Sequence, residues 1–234
     1  MISAEREHAL LSASSSHRWL ACTPSVRLEE QFEEKPSEFA EEGTLAHSIC
    51  ELKLRKKFLE PMGPSTFTRR MNKLKAQELY QEEMQGYTDK YIDYISEIVY
   101  GLPSPPTVAI EKKVDYSEYA PEGFGTSDCS IVYGNTLHII DFKYGKGIPV
   151  SAEDNPQMKL YALGALKDYA MIYGIETVHI TIVQPRLDSI SLSIFELVLA
   201  NNVLSNFLSI LLMISMYLFY TFAYNFYLKK QNEQ

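Results

Sequence analysis

This sequence predicts an α/β fold: a mixed sheet flanked by helices, with an N-terminal helical region and a hydrophobic C-terminal helix. Three observations carry the prediction. Long amphipathic stretches fill roughly the first hundred residues, the apolar period then shortens to two, and a helical stretch followed by one more β-rich run completes the pattern. With 234 residues, 22% charged and 46% hydrophobic, the chain has the composition and length to bury a sizeable core in one domain.

The elements follow in order. Residues 8–22 hold a serine cluster in which Ser14–Ser16 offer N-caps for a short helix carrying Arg18, Trp19 and Leu20. Glu38–Lys57 reads as a helix whose apolar face is Phe39, Leu45, Ile49, Leu52 and Leu54. Residues 73–100 read as a second long helix, with Leu79, Tyr80, Tyr87, Tyr91, Tyr94, Ile95 and Ile98 at helical spacing. The run Pro103–Pro106 (PSPP) ends it. Val108–Val114 has strand character, and a Gly-rich connection at Gly123–Gly125 follows. Asp128–Tyr133 and Leu137–Asp141 form a hairpin across the tight turn Gly134-Asn135. Asn155–Tyr173 returns to helical spacing through Met158, Leu160, Tyr161, Leu163 and Leu166, and Thr177–Val183 (TVHITIV) is a further strand.

The end of the chain differs in composition, so the sequence divides into a folded domain over 1–190 and a hydrophobic tail over 191–234. Leu197–Leu228 contains no charged residue and is long enough to span a bilayer as a helix. Against a true anchor stand Lys229 and Lys230, which by the positive-inside tendency would put an acidic domain outside the cell. Asn201, Asn202, Asn206 and Asn225 within the run also disfavour hydrocarbon. Its Leu, Ile, Phe, Tyr, Asn, Met and Ser content resembles A/T-rich sequence translated in an unintended frame. An aberrant end, a membrane anchor and a buried core helix all stand as readings.

Net charge is −8, and the tail contributes two lysines against two glutamates, so residues 1–190 carry all of it. Local basic runs nevertheless occur at Lys53–Lys57 (KLRKK), Arg69–Lys75 (RRMNKLK) and Lys143–Lys146, each of which is either a solvated helix face or a phosphate-binding patch. Three scattered cysteines, Cys22, Cys50 and Cys129, include no C-x-x-C pair, which argues against a zinc knuckle or a disulfide framework and for a reducing, cytoplasmic compartment. Glu5, Arg6, Glu7 and His8 precede any apolar run, so no secretory signal is expected. Membrane association through residues 197–228 is the alternative location.

The chemistry concentrates in GTSDCSIVYGNTLHIIDFKYGKG. Pairing the two strands across Gly134-Asn135 brings Asp128 near Asp141, and a period of two puts Lys143 on the same face as Asp141. Two convergent carboxylates suit Mg²⁺ or Mn²⁺, and an adjacent ammonium can orient water or stabilise charge on a phosphate. This is the outline of a metal-dependent phosphodiesterase; solvated strand ends are the plainer reading of the same residues. His47, in Gly43–His47, is a competent third ligand or an ordinary helix histidine. Gln157 and Tyr161, at i and i+4, share one helix face.

In order, Gly43–His47 (G-x-x-x-H), a strand with Glu111, Gly125–Asp128 (G-x-x-D), Asp141–Lys143 (D-x-K) and Gln157–Tyr161 (Q-x-x-x-Y) resemble the RecB-like branch of the PD-(D/E)XK nuclease superfamily. SASSSHRWLACTPS and DFKYGKG…NPQMKLYALGAL are similar to a phage and prophage group of RecB-like, CRISPR-associated-nuclease-like proteins. The resemblance covers about residues 8–190. It implies a restriction-endonuclease-like core and a Mg²⁺- or Mn²⁺-dependent DNA exonuclease, acting on linear duplex ends or single strands in recombination or end processing, beside phage recombination proteins.

The resemblance further implies that His47, Asp128, Asp141 and the Phe142 carbonyl ligate metal. It makes Lys143 the residue that positions or activates water, with Gln157 and Tyr161 supporting the site and contacting DNA. Glu111 fits a supporting carboxylate or, beside Lys112 and Lys113, a surface residue. Some relatives hold an iron–sulfur cluster, but no cysteine follows Cys129, so a cluster is not supported and the chain looks truncated. An inactive DNA-binding or remnant protein on the same fold, with or without a membrane tether, is the alternative function.

Overall fold

A computed structural model of the chain describes residues 9–32 and 37–197. The first elements are two short helices, α1 (Ser16–Ala21) and α2 (Ser25–Glu29), and the long α3 (Glu38–Leu54), which runs into a π-helical turn at Arg55–Leu59. Helices α4 (Pro64–Lys75) and α5 (Glu83–Gly101) follow. Next come strands β1 (Thr107–Asp115), β2 (Phe124–Tyr133) and β3 (Thr136–Phe142), helix α6 (Pro156–Tyr173), strand β4 (Thr177–Gln184), a 3₁₀ turn at Pro185–Leu187 and strand β5 (Ser189–Glu196).

The five strands form one mixed sheet in the order β1-β2-β3-β4-β5. β3 and β4 are parallel, which requires the α6 crossover between them; the other neighbours are antiparallel. The β2–β3 register (Tyr133↔Thr136, Cys129↔Ile140) is the one a two-residue turn dictates, and Gly134 supplies its left-handed backbone at φ 57.

Helices cover both faces. On one side α1 and α6 bury Trp19, Met158 and Leu160 against Leu137, Ile139 and Ile180. On the other, α3, α4 and α5 bury Ile49, Leu54, Tyr91 and Ile95 against Ile131, Ile140 and Phe142. Asn155 caps α6 by accepting from Met158 N at 3.2 Å, with Pro156 in the first turn and Gly174 ending the helix at φ 57. Gly164 lets α6 lie close to β1: a Cβ there would sit 2.9 Å from Val114 Cβ.

Five expectations need correction. The single helix expected over residues 73–100 is two, α4 and α5, with Leu79 and Tyr80 in the connection between them. Phe39, assigned to an apolar helix face, is 80% exposed, because the first turn of α3 projects beyond the core. Gly125 lies inside β2 rather than in a loop, and no side-chain cap bond closes the start of α1, where Ser12 Oγ accepts from Ser15 N instead. Finally, β5 crosses the boundary drawn at residue 190, pairing with β4 from Gln184↔Ser189 to Thr177↔Glu196. Its Ile190, Leu192 and Ile194 are about half exposed. The rest of the 191–234 tail, including all of the apolar run but Leu197, lies outside the described residues. Among the described residues no helix is long and apolar enough to cross a membrane.

Arg186, in the 3₁₀ turn, ties the sheet to the helices. Its side chain is 8% exposed, its guanidinium reaches Glu42 and Glu83 at 3.1 Å each, and it lies 4.6 Å from the Tyr144 ring centroid. Arg186→Ala strands the largely buried Glu42 carboxylate, so we expect a loss of about 2–3 kcal/mol in urea denaturation. A loss below about 0.5 kcal/mol would mark the cluster as surface decoration.

Candidate metal centre

The centre forms where β2 and β3 part. Their ladder closes at Cys129↔Ile140, so the next residues, Asp128 and Asp141, face each other across the opening. The backbone N–H of Phe142 donates to Asp128 Oδ2 at 2.8 Å, holding the carboxylate in place. α3 brings His47 from the other side, with Nδ1 at 3.4 Å from Asp128 Oδ2 and its ring packed edge-on against Phe142.

β1 contributes Glu111. By the β1–β2 register it stands opposite Asp128, between the pairs Ile110↔Cys129 and Lys112↔Ser127. Two carboxylates in that relation repel. The backbone is distorted there too: Glu111 has φ 47, a conformation that costs a non-glycine residue about 1–2 kcal/mol. The distortion resets the strand's alternation. Ile110 packs with α3 and α5, whereas Val114, which a regular strand would put on the same face, packs with α6.

His47, Glu111 and Asp128 each offer a ligand atom, and these atoms lie within 4.8 Å of one another. This is a possible cation site built of one imidazole and two carboxylates, a donor set suited to a hard or borderline divalent ion. It differs from the expected set: Glu111 takes part, and Asp141 is not within that group. Asp141 lies alongside, 2% exposed, with Oδ1 accepting from Gln157 Nε2 at 3.2 Å. Its Oδ2 is buried without a hydrogen bond, although Lys143 Nζ is 3.1 Å away. Phe142 contributes its N–H to the centre, through the bond to Asp128.

Burial, then the neighbouring Asp128 and Glu51, push the Glu111 carboxyl from its ordinary 4.5 to about 8. Burial also raises Asp128, opposed by His47 and reinforced by Asp141. Burial draws the Lys143 ammonium down, but Asp141 and Asp128 more than offset this and leave it above its ordinary value. A cation bound beside these acids would favour their ionised forms.

A second set adjoins the first. Lys143 Nζ donates to Gln157 Oε1 at 3.1 Å, and Gln157 Nε2 lies 3.4 Å from Tyr161 OH. The i, i+4 spacing on α6 therefore does bring Gln157 and Tyr161 together, and Gln157 bridges Asp141 and Lys143. Tyr161 stands where Gly125 leaves room, since a Cβ at Gly125 would approach Tyr161 Cε1 to 2.7 Å. Sequence reasoning left Glu111 undecided. Extending the antiparallel register from the hairpin to β1 would have put it opposite Asp128.

Fold and centre together define a mixed α/β protein with an acidic, histidine-containing cluster whose donors could hold a cation. The chain matches the family DUF2800, described as a protein of unknown function, over residues 8–205, and it belongs to that family. Among solved structures it is similar to the crystal structure of SSO0001, at 11% identity over 87% of this chain and 85% of that one, with a TM-score of 0.28.

Proposed function

We propose that this protein is a Mg²⁺- or Mn²⁺-dependent deoxyribonuclease of the RecB-like PD-(D/E)XK type, acting as an exonuclease on DNA ends. One observation supports this above the others: a His47–Glu111–Asp128 cluster directly adjoins an Asp141–Lys143–Gln157 network at the mouth of two parting strands. A purely structural site has no use for three acids converging on one buried spot, one of them on strained backbone.

His47, Glu111 and Asp128 would hold the cation, with Asp141 Oδ2, now facing the Lys143 ammonium at 3.1 Å, as a further donor. When bound, such an ion polarises a phosphate and makes water a better nucleophile. The chain supplies the rest. Lys143 presents an ammonium where negative charge grows on the phosphate, and Gln157 holds both Lys143 and Asp141 in register for it. Gly43, one turn before His47, has nothing within 4 Å of where a Cβ would be, so the rim there is open to a strand.

The test is incubation of the purified full chain with linear and circular DNA in Mg²⁺, in Mn²⁺ and in EDTA. Linear DNA should be degraded with either metal, circular DNA spared, and EDTA should abolish the reaction. Folded protein that binds Mn²⁺ yet cleaves neither substrate would overturn the reading and favour a non-catalytic role.

A further inference from the structure

The two basic runs on the N-terminal helices, Lys53–Lys57 and Arg69–Lys75, contribute no ligand to the metal centre. Folding brings them together. α3 and its π-helical turn form one wall of a cleft of about 560 Å³, α4 forms the other, and α5 closes the base. Lys53, Lys56 and Lys57 enter from the first wall, Phe67 and Lys75 from the second, over a base that includes Gln85 and Ile92. Among the described residues the one carboxylate lining the cleft is Asp89, which pairs with Lys53 at 2.7 Å, and Glu82 at its edge lies 3.4 Å from Lys75.

The charge is extreme for this chain. Residues 53–75 hold eight Lys and Arg against one acid, Glu60, a local charge of +7 in a protein whose total is −8. Lys53, Lys56 and Lys57 stand at i, i+3 and i+4, spacings at which like charges repel. Lys56 and Lys57 are exposed and, among the described residues, have no carboxylate partner; neither do Arg69 and Lys73 of the α4 run. Lys56 instead rests 3.9 Å from the Phe67 ring centroid. A solvated helix face intersperses acids among its lysines; this one concentrates ammonium groups around a concave surface.

We infer that this cleft binds the phosphate backbone of a nucleic-acid strand. Concavity favours a strand over an anionic membrane, which would need a planar basic face beside exposed apolar residues. Four ammonium groups drawn from three elements suit several phosphates in a row better than one small anion. The same helix, α3, carries His47 and Lys53 about 9 Å apart along its axis and about 120° apart around it, so the cleft lies near the metal centre on another side of α3. The inference deepens the nuclease reading and rests on it for the identity of the strand.

The test is binding of a fluorescent single-stranded deoxyoligonucleotide to the full chain in EDTA, which prevents cleavage, over a salt series. Lys56→Ala with Lys57→Ala should weaken binding at least tenfold at about 0.1 M salt, and should flatten the slope of log K against log salt by roughly 1.4. Both side chains are exposed, so the variant should melt as the parent does. Lys167→Ala, on α6 across the sheet, removes a comparable charge and should leave binding nearly unchanged. Equal binding by the cleft variant, an equal loss in Lys167→Ala, or binding to phosphatidylserine vesicles but not to the oligonucleotide would each overturn the inference. Cleavage separates the two readings. A variant that binds normally while the parent degrades DNA sinks the cleft alone, and oligonucleotide bound through these lysines by a protein that never cleaves sinks the nuclease alone.

Discussion

Replacing Glu111 with glutamine is expected to stabilise the metal-free protein at pH 8 by about 2 kcal/mol, while weakening Mn²⁺ binding on the order of 100-fold. The folded protein holds Glu111 opposite Asp128 and raises its carboxyl from 4.5 to about 8. Between those values the native state binds more protons than the unfolded state, so stability falls as pH rises. Below about pH 4.5 the group costs nothing in either state, and by pH 8 the whole penalty is present. A shift of that size in a rigid site would be worth several kcal/mol; partial exposure and water access reduce it to about 2.

Wild type in EDTA should therefore melt roughly 5 °C lower at pH 8 than at pH 5 because of this group. Mn²⁺ should reverse the loss, since a bound cation favours the ionised carboxylates. In Glu111→Gln the pH dependence should flatten and the rescue by Mn²⁺ should largely disappear. Calorimetric melts with and without EDTA, together with Mn²⁺ titration, measure both effects. A variant that is less stable than wild type at pH 8, or that binds Mn²⁺ equally well, would show that Glu111 is a structural acid whose strain serves something other than a cation.

That residue also marks where the sequence stops being legible. The hairpin was readable because a two-residue turn at Gly134-Asn135 sets the register, and register alone brings Asp128 to Asp141. α6 was readable because Asn155, Pro156 and Gly174 punctuate it chemically. The gap between α4 and α5 has no such punctuation. Residues 76–82 (AQELYQE) are ordinary helix formers, and the chain leaves the helix there because α4 and α5 each pack against α3. β5 was hidden for a different reason. Its alternation of Ile and Leu with Ser leaves the apolar residues about half exposed, and the shift in composition just beyond it drew the boundary too early. At Glu111, flanking Lys112 and Lys113 suggest a surface segment. Only the register of β1 and a positive φ, both products of tertiary structure, turn that carboxylate toward Asp128 and His47.

Lys143→Ala is expected to lower metal-dependent DNA cleavage on the order of a thousandfold while Mn²⁺ binding persists. The His47, Glu111 and Asp128 cluster that would hold the cation comes from α3, β1 and β2, whereas Lys143 lies just beyond β3 and is fixed from three directions. Its backbone N–H donates to Val183 O at 2.9 Å, its Nζ donates to Gln157 Oε1, and Asp141 lies 3.1 Å from the ammonium. Such anchoring aims one positive charge at one point beside the metal centre, which is worth most where charge develops during reaction. Lys143→Arg should not restore the rate, because a planar guanidinium cannot occupy the position of a compact ammonium between Asp141 and Gln157. Gln157→Ala, which loosens Lys143 without removing its charge, should cost less, about tenfold. Rates at saturating Mn²⁺, with melting curves to show that each variant is folded, give the ordering Lys143→Ala and Lys143→Arg below Gln157→Ala below wild type. If folded Lys143→Ala cleaves at the wild-type rate, the ammonium only neutralises Asp141 and Asp128, and the catalytic reading of the D-x-K segment is wrong.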